Sequence, residues 1–267
     1  MSAMIDKVLQ EAVNAGAVPS VAAIAADRDG VIYEGGAGCL VAGGRDPIGV
    51  DTHFRIMSMT KMVATVAALQ QKEKGNLNFD APVADYRPEF ADLQVLEGFD
   101  GDTPRLRPPE SQATVKQLVT HTAGLSYWFW NADIVRWQAI TGTPNVLSGV
   151  DSIFTAPLVA DPGTKFEYGI NADWLGKVIE AASGVMLDVA VKEGITGPLG
   201  MDATTFRCSS TRTPTPPRSM SRGRTAPGRA VRSTWSRSRS IGQAGMACTP
   251  PRATTSSSSG PCSVAAS

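Results

Sequence analysis

Apolar residues recur at three- and four-residue intervals in four stretches of the chain, the spacing that lines one face of a helix. They predict helices over residues 4–13, 61–74, 114–120 and 173–182. Residues 21–26 and 31–33 are short apolar runs, separated by the pair Asp29-Gly30, a strong signal for a hairpin turn. Because one helix and one hairpin precede a long, mostly helical region, the pattern predicts an α+β fold rather than a doubly wound sheet.

Three of these helices have recognisable ends. Thr114 is a residue type that caps helices, because its hydroxyl can accept a hydrogen bond from a free N–H of the first turn. Gly75 and Gly184 follow the second and fourth helices, where glycine commonly ends a helix.

Composition and length restrict the class of protein. The 267 residues (28.1 kDa) are 42% hydrophobic and 19% charged, which is typical of a globular protein of one large or two small domains. No apolar run approaches the roughly 18 residues of a membrane span, and the first residues lack a secretory signal pattern. We therefore expect a cytoplasmic protein that binds no membrane. The four cysteines and two histidines show no metal-ligand spacing, so we expect no metal or organic cofactor.

Charge is distributed unevenly along the chain. Residues 208–267 contain 9 arginines, 14 serines and no lysine, aspartate or glutamate, while residues 1–207 carry 16 basic and 25 acidic side chains. We predict that residues 1–207 form the folded domain and that residues 208–267 are a tail, disordered or out of frame. A basic arm that binds nucleic acid or another polyanion is one alternative, and a low-complexity linker is another.

Ser58 and Lys61 are the first candidates for chemistry. They lie three residues apart at the start of the predicted 61–74 helix, so the Lys61 amine can lie beside the Ser58 hydroxyl. Serine becomes a good nucleophile only when a base takes its proton, and the helix N-terminus can stabilise negative charge on a reacting carbonyl. A chain of this length contains about one such pair by chance, so an ordinary surface helix is the alternative.

A second candidate is Tyr168, on a loop that follows the turn Asp161-Pro162-Gly163. A tyrosine before a helix can be a buried core residue or a base whose proton affinity is tuned by a nearby ammonium group. The third segment contains His121 and the aromatic residues 127–130, which can line an acyl pocket or fill the core. Because the chain has no Gly-x-Ser-x-Gly elbow, we expect His121 to form local hydrogen bonds rather than part of a triad.

Five sequence blocks share their order and spacing with a known family. They are Phe54-x-x-x-Ser58-Met59-Thr60-Lys61, Gly75-x-Leu77-x-x-Asp80-x-Pro82-Val83, Leu118-x-Thr120-His121-Thr122-x-Gly124-Leu125, Pro162-Gly163-x-x-Phe166-x-Tyr168 and Leu199-Gly200-Met201. Together they resemble the serine β-lactamase-like superfamily, most of all the class C β-lactamase-like (family VIII) carboxylesterases, over about residues 5–207. The resemblance implies a β-lactamase/transpeptidase-like fold, an antiparallel sheet flanked by helices plus a mostly helical subdomain.

The resemblance also implies roles for individual residues. Ser58 is the acylated nucleophile, and Lys61 and Tyr168 are the base pair that activates it and then shuttles protons. Residues 168–170 are Tyr-Gly-Ile where class C β-lactamases have Tyr-x-Asn, which favours ester over β-lactam substrates. We expect a small-molecule ester as the partner and no nucleic acid on residues 1–207. The alternatives are a β-lactamase, D-alanyl peptidase or acyltransferase and, from another class, an inactive fragment or polyanion-binding module.

The third motif of that family is not found in these residues. Lys192 is the last lysine, Trp235 is followed by Ser236-Arg237, and no histidine follows His121. The resemblance implies that this motif's strand donates the second oxyanion N–H, so we predict missing C-terminal strands and little or no turnover. Our hypothesis for the cause is a frameshift near Cys208, since serine codons read one frame over tend to encode apolar residues. Sequencing the gene would test it.

Overall fold

The computed structural model describes residues 1–206 and 247–248. Of the segment 208–267, for which the sequence predicts a disordered or out-of-frame tail, only residues 247–248 are among those described; the remainder of that prediction, and the missing C-terminal strands, lie outside them. The described chain divides into two units. One comprises residues 1–55, 201–206 and 247–248, and the other comprises residues 56–200.

The first unit begins with helix α1 (Ser2–Asn14), followed by strands β1 (Ser20–Asp27) and β2 (Gly30–Gly38). The strands form an antiparallel hairpin in which Ser20 pairs with Gly38 and Asp27 with Gly30. At the turn, the carboxylate of Asp27 accepts hydrogen bonds from the N–H groups of Asp29 and Gly30. The predicted helix and hairpin are both present, and the second strand extends five residues beyond the predicted end at residue 33. A two-residue strand, β3 (Phe54–Arg55), ends this part of the unit.

The second unit is built around helices, as the sequence predicts. They are α2 (Thr60–Glu73), α3 (Val115–Val119), α4 (Ala132–Thr141), α5 (Asn171–Ser183) and α6 (Leu187–Val191). Helix α5 lies at the centre, packed against α2, α3 and α6. Its buried face includes Trp174, which makes edge-to-face contacts with Phe90 at 4.8 Å and Phe154 at 5.0 Å. This packing fixes where the N-terminal ends of α2 and α5 lie.

The predicted helix ends are also observed. The Thr114 hydroxyl accepts a hydrogen bond from the N–H of Gln117, whose side chain in turn accepts one from the N–H of Thr114. Gly184 follows α5 in the left-handed conformation that glycine adopts without strain. Local signals in the sequence are therefore sufficient to place these two helix ends.

A second hairpin, β4 (Val95–Asp100) with β5 (Thr103–Arg107), was not predicted. It interrupts the region that the sequence pattern describes as mostly helical. Its turn contains Asp100-Gly101, the same type of turn signal as in the first hairpin. Strand β6 (Ala247–Cys248) pairs antiparallel with β3. Among the described residues, no helix combines the length and the apolar character that crossing a membrane requires.

Candidate active site

Ser58 lies in a short 3-10 turn, Met57–Met59, that leads directly into α2. The preceding Met57 has a φ of 48°, a left-handed conformation that costs energy for a residue with a side chain. Ser58 is exposed, and the amine of the half-buried Lys61 donates a hydrogen bond to its Oγ at 3.2 Å. The nucleophile is therefore accessible and has a potential base at hydrogen-bonding distance.

Tyr168 completes the contact. It lies on the loop before α5, and its hydroxyl donates a hydrogen bond to Ser58 Oγ at 2.8 Å. The structure thus brings together the three predicted catalytic residues, Ser58, Lys61 and Tyr168. Their arrangement matches a serine activated by an adjacent base.

The Tyr168 loop is held against the loop of residues 121–127 by backbone contacts. The N–H of Glu167 donates to the carbonyl of His121, and that of Gly163 to the carbonyl of Thr122, both at 2.7 Å. Gly169 has no room for a side chain, because a Cβ there would collide with the backbone of Leu125 and Ser126. The position of Tyr168 is therefore set by a direct backbone-to-backbone approach.

Two buried polar side chains reinforce the same loops. Glu167 accepts hydrogen bonds from Ser126 Oγ at 3.0 Å and Asn131 Nδ2 at 3.2 Å, and forms an ion pair with Lys165. The Asn171 amide donates to the carbonyls of Leu125 and Glu167, each at 3.1 Å. Separating the two loops would break these buried hydrogen bonds, so the bonds favour the observed loop arrangement.

His121 also takes part in this local network. Its Nδ1 lies 3.1 Å from the side-chain nitrogen of Asn171, and its ring centroid is 5.0 Å from that of Tyr168. Burial, with a smaller contribution from the positive charge of Lys61, lowers the pKa of His121 to about 4. A neutral, locally bonded histidine agrees with the predicted role.

Lys61 is surrounded by groups that attract a positive charge. Its Nζ lies 5.3 Å from the ring centroid of Tyr127 and 5.0 Å from that of Tyr168. The hydroxyl of Tyr127 donates to Asp173 Oδ2 at 3.2 Å. Burial raises the pKa of Asp173 to about 6, although Lys61 and the Tyr127 hydrogen bond act in the opposite direction. Burial also raises the pKa of Tyr127.

Neither Tyr127 nor Asp173 was predicted to contact the catalytic residues. Tyr127 was one of four consecutive aromatic residues, and Asp173 was only the first residue of a predicted helix. The sequence signal that could have identified Asp173 is its position: it is a carboxylate in the first turn of the helix that follows Tyr168.

The aromatic residues 127–130 divide between the two alternatives given for them. Tyr127 is buried, whereas Phe129 and Trp130 are 59% and 54% exposed. The ring of Trp130 is 5.6 Å and that of Phe129 is 6.4 Å from the ring of Tyr168. The first aromatic therefore fills the core, and the last two form an exposed apolar wall beside the site. Within the described ranges, no cluster of three histidine, cysteine or carboxylate side chains could hold a metal ion.

Comparison with known proteins places the chain in a family. The model of the family described as Beta-lactamase matches residues 5–252. The chain belongs to the beta-lactamase family. The predicted resemblance and the α+β, β-lactamase-like fold are thereby confirmed, and the match extends beyond the residues 5–207 that carry the sequence motifs.

Relatives of this family member include esterases and acyltransferases. It is 34% identical to "Lovastatin esterase" of Penicillium rubens, over 76% of this chain and 52% of that protein. It is 38% identical to "Monacolin J acid methylbutanoyltransferase" of Aspergillus terreus, over 60% of this chain and 40% of that protein. Among solved structures, unliganded simvastatin synthase from Aspergillus terreus has a TM-score of 0.67 and 33% identity, covering 77% of this chain and 53% of that one. The chain thus spans about half the length of these relatives, or less.

Proposed function

We propose that this protein is a serine esterase that cleaves carboxylic esters through an acyl-enzyme on Ser58. The observation that carries the proposal is the convergence of the Lys61 amine and the Tyr168 hydroxyl on Ser58 Oγ, at 3.2 Å and 2.8 Å. Either contact alone could also occur on an ordinary surface helix. Here both groups contact the same exposed hydroxyl, that of Ser58.

The geometry supports a two-step acyl transfer. Ser58 Oγ attacks the ester carbonyl while its proton passes to whichever of Tyr168 and Lys61 carries a free electron pair. The same pair then returns a proton to the departing alcohol oxygen, which leaves the acyl group on Ser58. Water attacks in the second step, gives its proton to the pair, and releases the acid as Ser58 Oγ is reprotonated. The N-terminal end of α2 stabilises negative charge on the carbonyl oxygen.

The exposed aromatic wall favours substrates with an apolar group. Phe129 and Trp130 present their rings to solvent beside Tyr168, and the exposed Phe166 lies 5.9 Å from the ring of His121. Covering such rings with an apolar acyl or alcohol group removes apolar surface from water. The substrate class we propose is therefore a small-molecule ester with a hydrophobic substituent, and we propose no nucleic-acid or membrane partner for residues 1–207.

A second candidate function is acyl transfer to an alcohol instead of water. It is favoured by the relative named as a methylbutanoyltransferase, and it needs no change in the Ser58 chemistry. A β-lactamase or D-alanyl peptidase activity is the remaining enzymatic alternative, and an inactive fragment or a polyanion-binding module is the alternative from another class.

Release of p-nitrophenol from p-nitrophenyl acetate, measured in the first turnover, tests the proposal. Because we expect little sustained turnover, the decisive quantity is the burst, which should approach one equivalent per protein and vanish in Ser58→Ala. An added alcohol should accelerate later turnovers if transfer is favoured. Rapid opening of nitrocefin without an ester burst would contradict the esterase proposal. A cytoplasmic location stays a prediction for cell fractionation to test.

A further inference from the structure

Lys61 is held by more than its contact with Ser58. The Lys61 Nζ lies over the rings of Tyr127 and Tyr168, 5.3 Å and 5.0 Å from their centroids. The Tyr127 hydroxyl donates a hydrogen bond to Asp173 Oδ2 at 3.2 Å. The negative charge of Asp173 and the positive charge of Lys61 interact. Tyr127 and Asp173 therefore form a connected pair next to Lys61.

An ordinary structural role does not account for this pair. An acidic residue in the first turn of a helix stabilises the helix while it is exposed to water, as Asp133 does in α4. Asp173 occupies the same place in α5, yet burial raises its pKa to about 6. A carboxylate that loses contact with water costs free energy unless it is paired, and here the Tyr127 hydroxyl, from a loop, donates a hydrogen bond to the half-buried Asp173 at 3.2 Å.

We propose that Tyr127 and Asp173 are positioning residues that hold the Lys61 amine against Ser58. The proposal rests on the proposed function, since Lys61 needs positioning only if Ser58 is acylated. Asp173 orients the Tyr127 ring through the hydroxyl, and the ring together with the carboxylate charge restrains the lysine nitrogen. Protonation of Asp173 removes that restraint.

The charged groups around Asp173 limit what can titrate there. The groups that act on it are Lys61 from α2, the Tyr127 hydroxyl from the loop after α3, and its own backbone N–H. The other charged residues of α5 and of the helices packed against it are Lys72, Glu73, Lys116, Lys177, Glu180 and Asp188. None of these is among the groups that shift the pKa of Asp173. Lys177, on the same helix as Asp173, forms an ion pair with Asp151 instead, with 3.2 Å between Nζ and Oδ1.

The rate of Ser58 labelling by a fluorophosphonate, followed by intact mass across a pH series, tests the positioning. At about pH 8, Asp173→Asn should react roughly tenfold more slowly than the wild type, since it loses a charged restraint. Near pH 5 the two rates should converge, because wild-type Asp173 is then protonated as well. Tyr127→Phe keeps the ring and should give a smaller loss. Asp133→Asn, the matched control, should follow the wild type at every pH.

A constant ratio of wild-type to Asp173→Asn rates at all pH values would overturn the proposal, since a merely structural effect does not follow the titration of Asp173. Equal rates at all pH values would overturn it as well. If the wild type were not labelled at any pH, the proposed function would fail, and the coupling of Asp173 to Lys61 and Tyr127 would then be judged by stability alone.

Thermal unfolding against pH provides that independent measurement. The folded-state pKa of Asp173 is raised from 3.8 to about 6, so its contribution to stability is greatest at low pH and is lost as pH rises through this window. Lys61→Met and Tyr127→Phe each remove a group that lowers this pKa, so each should move the inflection to higher pH. Asp173→Asn should abolish it. An inflection that stays in place in both variants would show that the three residues are not coupled.

Discussion

The hydroxyl of Tyr168 lies 2.8 Å from Ser58 Oγ, although 110 residues separate them in the chain. Ser58 precedes α2 by two residues, and Tyr168 precedes α5 by three. Because α2 packs against α5, the N-terminal ends of two packed helices present the nucleophile and its tyrosine to each other. The site therefore depends on the helical core of the second unit.

Tyr168→Phe removes only the hydroxyl that contacts Ser58. We expect the rate of Ser58 acylation to fall by about 10²- to 10⁴-fold, the usual contribution of a positioned acid or base. Stopped-flow measurement of the p-nitrophenol burst provides the rate. Tyr86→Phe is the matched control, because the Tyr86 hydroxyl accepts a backbone hydrogen bond from Asn78 and lies outside the serine contact. A control that loses as much acylation as Tyr168→Phe would contradict the assignment.

Gly169→Ala tests the close approach of the two loops. A methyl group there would collide with the backbone of Leu125 and Ser126, so we expect a loss of about 1–3 kcal/mol in the free energy of unfolding. Displacement of Tyr168 should also slow Ser58 labelling. Urea unfolding measures the free energy of unfolding of Gly169→Ala and of the control variant Gly49→Ala. Gly49 is the control because a Cβ there would have no atom within 4 Å. Equal stability of the two variants would show that the loops do not need this contact.

His121 provides a prediction for acidic solution. Its folded-state pKa is lowered from 6.5 to about 4, so the folded protein binds fewer protons than the unfolded chain between these values. Stability from this residue is therefore present above pH 6.5 and is lost as pH falls toward 4. His121→Asn should lose this acid-dependent part of the change in melting temperature, and asparagine tolerates the φ of 56° at this position. His53 is exposed, and the control variant His53→Asn should retain the acid-dependent change in melting temperature. Parallel curves for wild type and His121→Asn would contradict the prediction.

Trp130→Ala tests the apolar wall. We expect labelling by a long-chain alkyl fluorophosphonate to slow by about tenfold, because the apolar surface that the chain covers is lost. Labelling by a short-chain probe should change little, since the Ser58 contacts are unaltered. Leu106→Ala, an exposed residue of β5, is the control for loss of surface apolar area. Equal effects on short and long probes would remove Trp130 from the substrate site.

The core of the site could be predicted because its signals are local or lie in compact motifs. Ser58 and Lys61 are three residues apart at the start of one helix, and Tyr168 lies in a recognisable turn-and-loop segment before another. The caps at Thr114 and Gly184 are also local, and both were predicted correctly.

The parts that were missed depend on contacts between distant segments. Nothing in the run of aromatic residues indicates that Tyr127 turns inward while Trp130 remains exposed; that depends on the backbone bonds to the Tyr168 loop. The pKa of Asp173 is raised only because the fold removes the carboxylate from water. The β4–β5 hairpin had a local signal at Asp100-Gly101, but short apolar runs within a helical region do not distinguish strands from helices.

The central claim is that Ser58 is an activated nucleophile. Intact-mass spectrometry of the full 267-residue chain after treatment with a fluorophosphonate tests it most directly, with Ser58→Ala as the control. We predict a single adduct on the wild-type chain that maps to Ser58 and is absent from the variant. No adduct on a folded wild-type chain, or an adduct that persists in Ser58→Ala, would contradict the account.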